Sequence, residues 1–256
     1  MGLAQAVGSI LALAWTCVPS PLRRMTLKGM IYVEGRVRSR SGVTNLLQLW
    51  PFVEKQAGGV AMRQEGGIHP KHRLIGYHEF FIDRIHDGEV VLDVGCGVGV
   101  VASSIVARRN VQVFGIDLDP RNIAKARRLW RDERLHFVEG DATKSLPVAR
   151  CDVVVFSNVL EHIDSRVGLL EHVIATIQPR KILIRVPVFE RHWIIPFMKE
   201  KGLQYFSDAT HVVEHTRDGW LGEFRAAGLR DVHWEVCWGE LWCECVPLHA
   251  KPGVTM

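Results

Sequence analysis

The feature that most constrains this chain is the stretch Glu89-Val90-Val91-Leu92-Asp93-Val94-Gly95-Cys96-Gly97-Val98-Gly99-Val100, an apolar run that ends in three glycines spaced two apart. Val90 to Val94 suit a strand covered on both faces of a parallel sheet. The glycines then allow a sharp turn and a close backbone approach to a ligand, where a side chain would clash. Asp93 interrupts the apolar run, and a carboxylate buried there is costly without a partner. It is expected to accept hydrogen bonds from the loop or to face a cationic ligand.

A plain strand-to-helix connection accounts for the glycines alone, since glycine turns are common. A phosphate-cradling turn is the second reading, but the dinucleotide fingerprint requires Gly-x-Gly-x-x-Gly. Here the third glycine falls one residue early, and no Gly-Lys-Ser/Thr ending marks a P-loop. That spacing argues against an NAD(P) oxidoreductase. Asp93 to Gly99 instead resembles the first motif of class I S-adenosylmethionine (SAM) methyltransferases, Asp/Glu-x-Gly-x-Gly-x-Gly, at every position.

The pattern that follows is repetitive. Helix Val101 to Arg109 leads to a strand from Val111 to Ile116 ending at Asp117, and Asp119-Pro120 reads as an N-cap before a helix to Arg131. Leu135 to Glu139, Cys151 to Phe156 and Lys181 to Val188 read as further strands, with a helix from Arg166 to Ile177 between the last two. Strands alternating with helices predict a doubly wound, mostly parallel α/β sheet. Ligands in such sheets bind beyond the carboxyl ends of the strands, where Asp93, Asp117, Asp141 and Ser157 all fall. Val232 to Trp238 and Leu241 to Val246 add an antiparallel hairpin joined at Gly239-Glu240. Five parallel strands followed by a hairpin is the Rossmann-like arrangement that the resemblance to class I methyltransferases implies.

Upstream, His72 to Ile85 has apolar residues at helical spacing and predicts one amphipathic helix before the first strand. Residues 71–250 are read as the methyltransferase domain and residues 1–70 as a basic, partly flexible extension. That extension holds eight Lys/Arg against three acids, while the whole chain carries a net charge of only +4. The body is therefore close to neutral, which argues against a nucleic-acid substrate gripped by phosphate contacts. Gly2 to Val18 is uncharged and lies before Arg23-Arg24. It is too short and interrupted for a membrane span and lacks the basic start of a signal peptide. A leader before a true start at Met25 or Met30 is one expectation, and weak membrane-surface contact through residues 1–40 is the other. Residues 35–67 read as a linker with one short helix at Leu46 to Val53. The six cysteines show no framework spacing and read as reduced core residues of a cytoplasmic protein. The oligomeric state is not legible.

The resemblance carries residues over one by one. Cofactor contacts are expected from Tyr77, Asp93, Gly95, Cys96, Gly97 and Gly99, and from Asp117 and Leu118 at the ribose. Asp141 and Ala142 are expected at the adenine, and Ser157 and Asn158 beside the methionine moiety. The implied cofactor is SAM, leaving as S-adenosylhomocysteine (SAH). SAM's methyl group is already electrophilic, so alignment with a nucleophile is the main requirement. A hydroxyl acceptor also needs a base, and histidine suits that role.

His162, after the fourth strand, and His211, with Asp208 and Glu214 in support, are the candidate catalytic residues. His211, Asp208 and Glu214 could alternatively hold a divalent metal or simply hydrogen-bond a lid together, and no metal is assigned. The aromatic segment 189–215, with Trp193, Phe197, Tyr205 and Phe206, is expected to be a lid over the substrate. Asp208 to Thr216, Phe189 to Trp193 and Trp238 to Trp242 resemble pieces of methyltransferases of bacterial surface-polysaccharide and related glycan pathways. The expected activity is O-methylation of a glycan or small-molecule hydroxyl. The alternatives are C- or N-methylation of a natural product or lipid-like acceptor, and a non-catalytic SAM-fold binding module.

Overall fold

The computed structural model describes residues 12–37 and 40–248. Residues 1–11, within the segment expected to touch a membrane surface, and residues 249–250, at the expected end of the domain, lie outside the described residues. Cα packing divides the chain into two units, one of residues 1–60 with 198–204 and one of residues 61–197 with 205–256.

The larger unit is built on seven strands: β1 (Val90–Val94), β2 (Gln112–Asp117), β3 (Leu135–Glu139), β4 (Val153–Ser157), β5 (Lys181–Pro187), β6 (Leu229–Cys237) and β7 (Glu240–Pro247). Their order in the sheet is β3-β2-β1-β4-β5-β7-β6. The first five are parallel, and β7 runs antiparallel between β5 and β6. The sheet reverses its order of growth beside β1 and β4, which is where ligands sit in open α/β sheets. Alternation along the strands fills both faces: Leu92, Val154, Phe156, Ile182 and Ile184 pack in one apolar cluster, and Val91, Val153, Val155 and Leu183 in the other. The first cluster is closed by helices Arg166–Ile177 and Arg217–Ala226, the second by Tyr77–Ile82 and Val100–Arg108.

Several local expectations need correction. The helix expected over His72 to Ile85 is two short helices, Lys71–Leu74 and Tyr77–Ile82. Gly76 breaks them by adopting φ 67°, a left-handed conformation that glycine reaches without steric cost. The linker expected at 35–67 is instead largely the 25-residue helix Arg40–Gln64, with Pro51 inside it. Proline removes one intrahelical hydrogen bond, yet Leu47, one turn earlier, is buried. The expected leader or surface anchor is helical over Ser20–Glu34, with Pro21 in the first turn, where its missing N–H costs nothing. Asn45 Nδ2 donates to Glu34 Oε1 at 2.8 Å between these two helices. A Cβ on Gly42 would come within 2.8 Å of the Val37 carbonyl oxygen, so the close connection requires glycine. No helix among the described residues is long and apolar enough to cross a membrane.

The segment 189–215 is not one irregular loop. It contains a 3-10 turn at Phe189–Arg191 and a helix at Ile194–Glu200 that buries Ile195 and Met198, one helical turn apart. The hairpin turn lies at Trp238-Gly239, both with φ above 50°, one residue earlier than expected.

Candidate active site

The glycine turn after β1 divides its work between packing and access. Gly95, Gly97 and Gly99 all have positive φ, at 66°, 54° and 76°. A Cβ on Gly95 would sit 2.5 Å from the Val159 side chain, and one on Gly99 would sit 2.5 Å from the Phe137 ring. One on Gly97 would meet nothing within 4 Å. Gly95 and Gly99 are thus pressed against the protein, while Gly97 leaves an open backbone face of the kind a cofactor cradle needs. Cys96 is buried, and its Sγ lies 2.8 Å from where a Gly115 Cβ would be. Its side chain faces the core, so only its main chain is available to a ligand.

Asp117, at the end of β2, reaches back to this turn. Its Oδ2 accepts the Gly97 N–H at 2.8 Å, and its Oδ1 accepts the Asp119 N–H at 2.9 Å and Asn122 Nδ2 at 3.2 Å. A carboxylate offers about four acceptor sites, so one is left for a ribose hydroxyl without disturbing these bonds. Asp93 is fully buried, and one of its oxygens, Oδ2, has no hydrogen-bond partner among the described residues. Burial, reinforced by the nearby Asp117 charge and opposed by the Ala102 N–H, pushes its carboxyl up to about 7. The expected bond from the glycine turn is thus replaced by one from the following helix. Leu118 is 66% exposed beside Asp117, an apolar side chain available to cover a flat base.

Asp141 is placed at the end of β3 as a turn-forming residue. Its Oδ1 accepts the Thr143 N–H and hydroxyl at 3.0 and 2.6 Å, and its Oδ2 pairs with Lys144 at 2.9 Å. The Thr143 hydroxyl, Lys144 and the Thr143 amide hold its carboxyl down at about 2. Ala142 packs against the core.

At the end of β4, Ser157 and Asn158 meet a pair that sequence reasoning did not single out, Arg185 and Glu240. Arg185 donates to Glu240 through Nε at 2.5 Å and Nη2 at 2.6 Å, and to Ser157 Oγ at 3.1 Å. Asn158, in a left-handed conformation at φ 55°, donates Nδ2 to Glu240 at 3.2 Å, and its buried Oδ1 has no partner among the described residues. The Arg185 guanidinium lies 3.6 Å over the Tyr77 ring, and the Tyr77 hydroxyl is hydrogen-bonded to His72 Nδ1. Tyr77 is therefore a wall residue with its polar end engaged. A charged residue inside the apolar run Lys181 to Val188 was the available signal for Arg185.

The two candidate histidines come together. His162, in the 3-10 turn Leu160–His162 after β4, and His211, 49 positions later, have ring centroids 4.6 Å apart. His162 Nδ1 lies 3.0 Å from Thr210 Oγ1, whose hydroxyl donates to Asp208 Oδ1 at 2.7 Å. His211 Nδ1 lies 2.8 Å from Glu214 Oε1, which also accepts the Ser207 N–H and hydroxyl, while Glu214 Oε2 pairs with Arg191. Burial alone would raise the Glu214 carboxyl, but His211, Ser207 and Arg191 hold it below its ordinary value. Burial lowers His162, with the nearby His211 adding to the effect. Asp208 and Glu214 thus act on the imidazoles from behind. Glu161, the residue before His162, is fully buried, and sequence reasoning did not single it out.

A parallel sheet with an open glycine turn and carboxylates at the ends of neighbouring strands is the architecture of class I SAM-dependent methyltransferases. Residues 68–234 match the family described as "Methyltransferase domain", and the chain belongs to that family. It is 32% identical over 161 residues to the ribosomal protein L11 methyltransferase of Ralstonia pickettii, covering 60% of this chain and 48% of that protein. It is 28% identical over 122 residues to the ubiquinone biosynthesis O-methyltransferase of Shewanella halifaxensis, covering 45% of this chain and 51% of the relative. The chain thus spans about half the length of the curated relatives it matches. Among solved structures, the fold is shared with magnesium protoporphyrin IX methyltransferase from Synechocystis with bound SAH, at a TM-score of 0.54 and 16% identity over 68% of this chain and 80% of that one.

Proposed function

We propose that the chain transfers a methyl group from SAM to a hydroxyl oxygen of a small molecule or glycan. The observation that carries the cofactor half of this reading is the open face at Gly97, tied by its N–H to Asp117 and followed in the fold by the bare Oδ2 of buried Asp93. The remaining acceptor site of Asp117 suits a ribose hydroxyl, Leu118 suits the base, and Asp93 suits a cationic ligand. These residues fit SAM in charge and in space. Bound SAM supplies an electrophilic methyl group.

The acceptor half rests on the histidines. His162 and His211 each have Nδ1 engaged by an oxygen, which leaves Nε2 to take the hydroxyl proton. Support also comes from the O-methyltransferase among the relatives, although relatives acting on protein share the same fold. Residues 71–250 are assigned to the transferase domain, with residues 189–215 as its lid and substrate insertion, and residues 1–70 to an accessory extension.

Calorimetric titration of the purified chain with SAM and SAH is the direct test, followed by labelled-methyl transfer into glycan and small-molecule extracts. Micromolar binding with label arriving on oxygen is the expected result. Absence of heat with both SAM and SAH would sink the reading.

A further inference from the structure

Glu161 is the most exceptional group near the acceptor side. Its side chain is fully buried, and neither carboxylate oxygen has a hydrogen-bond partner among the described residues. A carboxylate in that state is expensive unless a cation meets it.

The two neighbouring histidines are prepared to share such a cation. Thr210 has one hydroxyl proton, and it is given to the acceptor-only carboxylate of Asp208. Thr210 Oγ1 therefore accepts from His162 Nδ1–H, which leaves the His162 Nε2 lone pair free. Glu214 is likewise acceptor-only, so His211 donates through Nδ1 and also keeps its Nε2 lone pair. Imidazoles fixed through one nitrogen by a carboxylate or hydroxyl, with the other nitrogen free, are the usual support of a metal site. His211 Nε2 lies 3.9 Å from Glu161 Oε1, too far for a hydrogen bond. One ligand atom from each of Glu161, His162 and His211 lies within 4.8 Å of the others. Ligands on one ion with bonds of about 2.1 Å lie roughly 3–3.5 Å apart, so modest side-chain rotation closes the set.

We propose that Glu161, His162 and His211 hold one divalent first-row transition ion, such as Mn²⁺, Co²⁺ or Zn²⁺. Two imidazoles and one carboxylate favour these ions over Mg²⁺ or Ca²⁺, which prefer all-oxygen shells. Three protein ligands leave coordination positions open. This rests on the hydroxyl acceptor proposed above and replaces the histidines as its base: with both Nε2 lone pairs on the ion, the open positions take the acceptor oxygen and lower its pKa, so that its proton leaves to solvent before methyl transfer. Binding of the ion itself does not depend on that reading.

The test uses the full chain stripped with a chelator and titrated with Co²⁺, read by its visible ligand-field absorption, with Mn²⁺ followed by electron paramagnetic resonance. One saturable equivalent is expected, weakened at least tenfold by His162→Ala and by His211→Ala and unchanged by His233→Ala on the distant edge strand. His162 is exposed, so its variant keeps the fold, and circular dichroism verifies this for both. Lack of saturable binding, or equal binding by the wild type and both site variants, overturns the proposal. SAM titration on the same samples separates the two readings. Intact SAM binding with failed Co²⁺ binding rejects the metal alone, and the reverse outcome rejects the SAM reading while the metal site stands.

Discussion

Asp117 Oδ2 accepts the Gly97 N–H at 2.8 Å, so the end of β2 holds the turn that ends β1. In the proposed reading, one side chain then serves the fold and the ligand together. Replacing it removes a charge-assisted bond, worth about 1.5–3 kcal/mol, and the acceptor offered to a ribose. Asp117→Ala is expected to weaken SAM at least tenfold and to lower the melting temperature by several degrees. Asp117→Asn keeps an acceptor and is expected to fall between Asp117→Ala and the wild type. Calorimetry and thermal melts on the two variants check this order, and equal SAM affinity in all three proteins would contradict it.

The glycines separate packing from binding. Gly95→Ala and Gly99→Ala each place a Cβ about 2.5 Å from Val159 or Phe137, and overpacking of this kind costs about 1–3 kcal/mol beyond the backbone strain. Gly97→Ala meets no atom within 4 Å and pays only for its left-handed backbone, about 1 kcal/mol. Urea unfolding should rank Gly97→Ala as the mildest of the three. SAM titration should nonetheless find it strongly impaired, because the added methyl occupies the open face.

The layers of this fold were legible because strands with both faces buried are continuous apolar runs, and β1 to β5 were all found within two residues of their ends. The glycine turn and the acids at the strand ends were legible for the same reason, since polar residues closing apolar runs stand out. What was not legible depended on partners far away in the chain. Arg185 finds Glu240 across β5 and β7 only once the hairpin reverses direction. Glu161 reads like any acid after a strand until its burial and the arrival of His211 are seen. The helix Arg40–Gln64 was hidden by Pro51 and by Gly58-Gly59, which local propensity counts as breakers. Conversely, spacing sets Cys96 in the glycine turn and Asp141 after β3, but their side chains turn to the core and to Lys144, directions that spacing does not encode.

Asp93 gives the protein a pH dependence of stability opposite to that of a salt-bridged acid. Its carboxyl titrates near 3.8 when unfolded and is pushed up to about 7 by burial and by Asp117 in the fold. Between these values the native state holds a proton that the unfolded chain has released, so stability is greatest at low pH and falls as pH rises. The decline is at most about 1.4 kcal/mol per pH unit and levels off above pH 7. The difference in urea stability between wild type and Asp93→Asn, measured at pH 5 and pH 7.5, isolates this group. The wild type should lose ground to the variant at the higher pH. Saturating SAM, by placing positive charge near the carboxylate, should shrink that loss in the wild type alone. A difference independent of pH would mean that Asp93 titrates normally.

The Arg185–Glu240 pair is the most exposed to damage by a single substitution. Arg185 is 2% exposed, bidentate to Glu240, bonded to Ser157 and stacked on Tyr77. Removing one partner of a buried pair leaves an uncompensated charge, and such changes cost about 3–5 kcal/mol. Glu240→Ala is therefore expected to be among the most destabilising changes near the site, and Glu240→Gln, which keeps an oxygen for Arg185, less so. Asn158 also loses its Nδ2 acceptor in Glu240→Ala, so the left-handed residue shortly before the 3-10 turn Leu160–His162 loosens with it. The pairing can be separated from simple packing by the double variant Arg185→Met with Glu240→Leu. If the charge left behind is the cost, the double variant recovers most of the stability lost in Glu240→Ala. If it remains as unstable as the single variant, the packing around Tyr77 and Ser157 carries the energy instead. Urea unfolding of the three proteins decides between them.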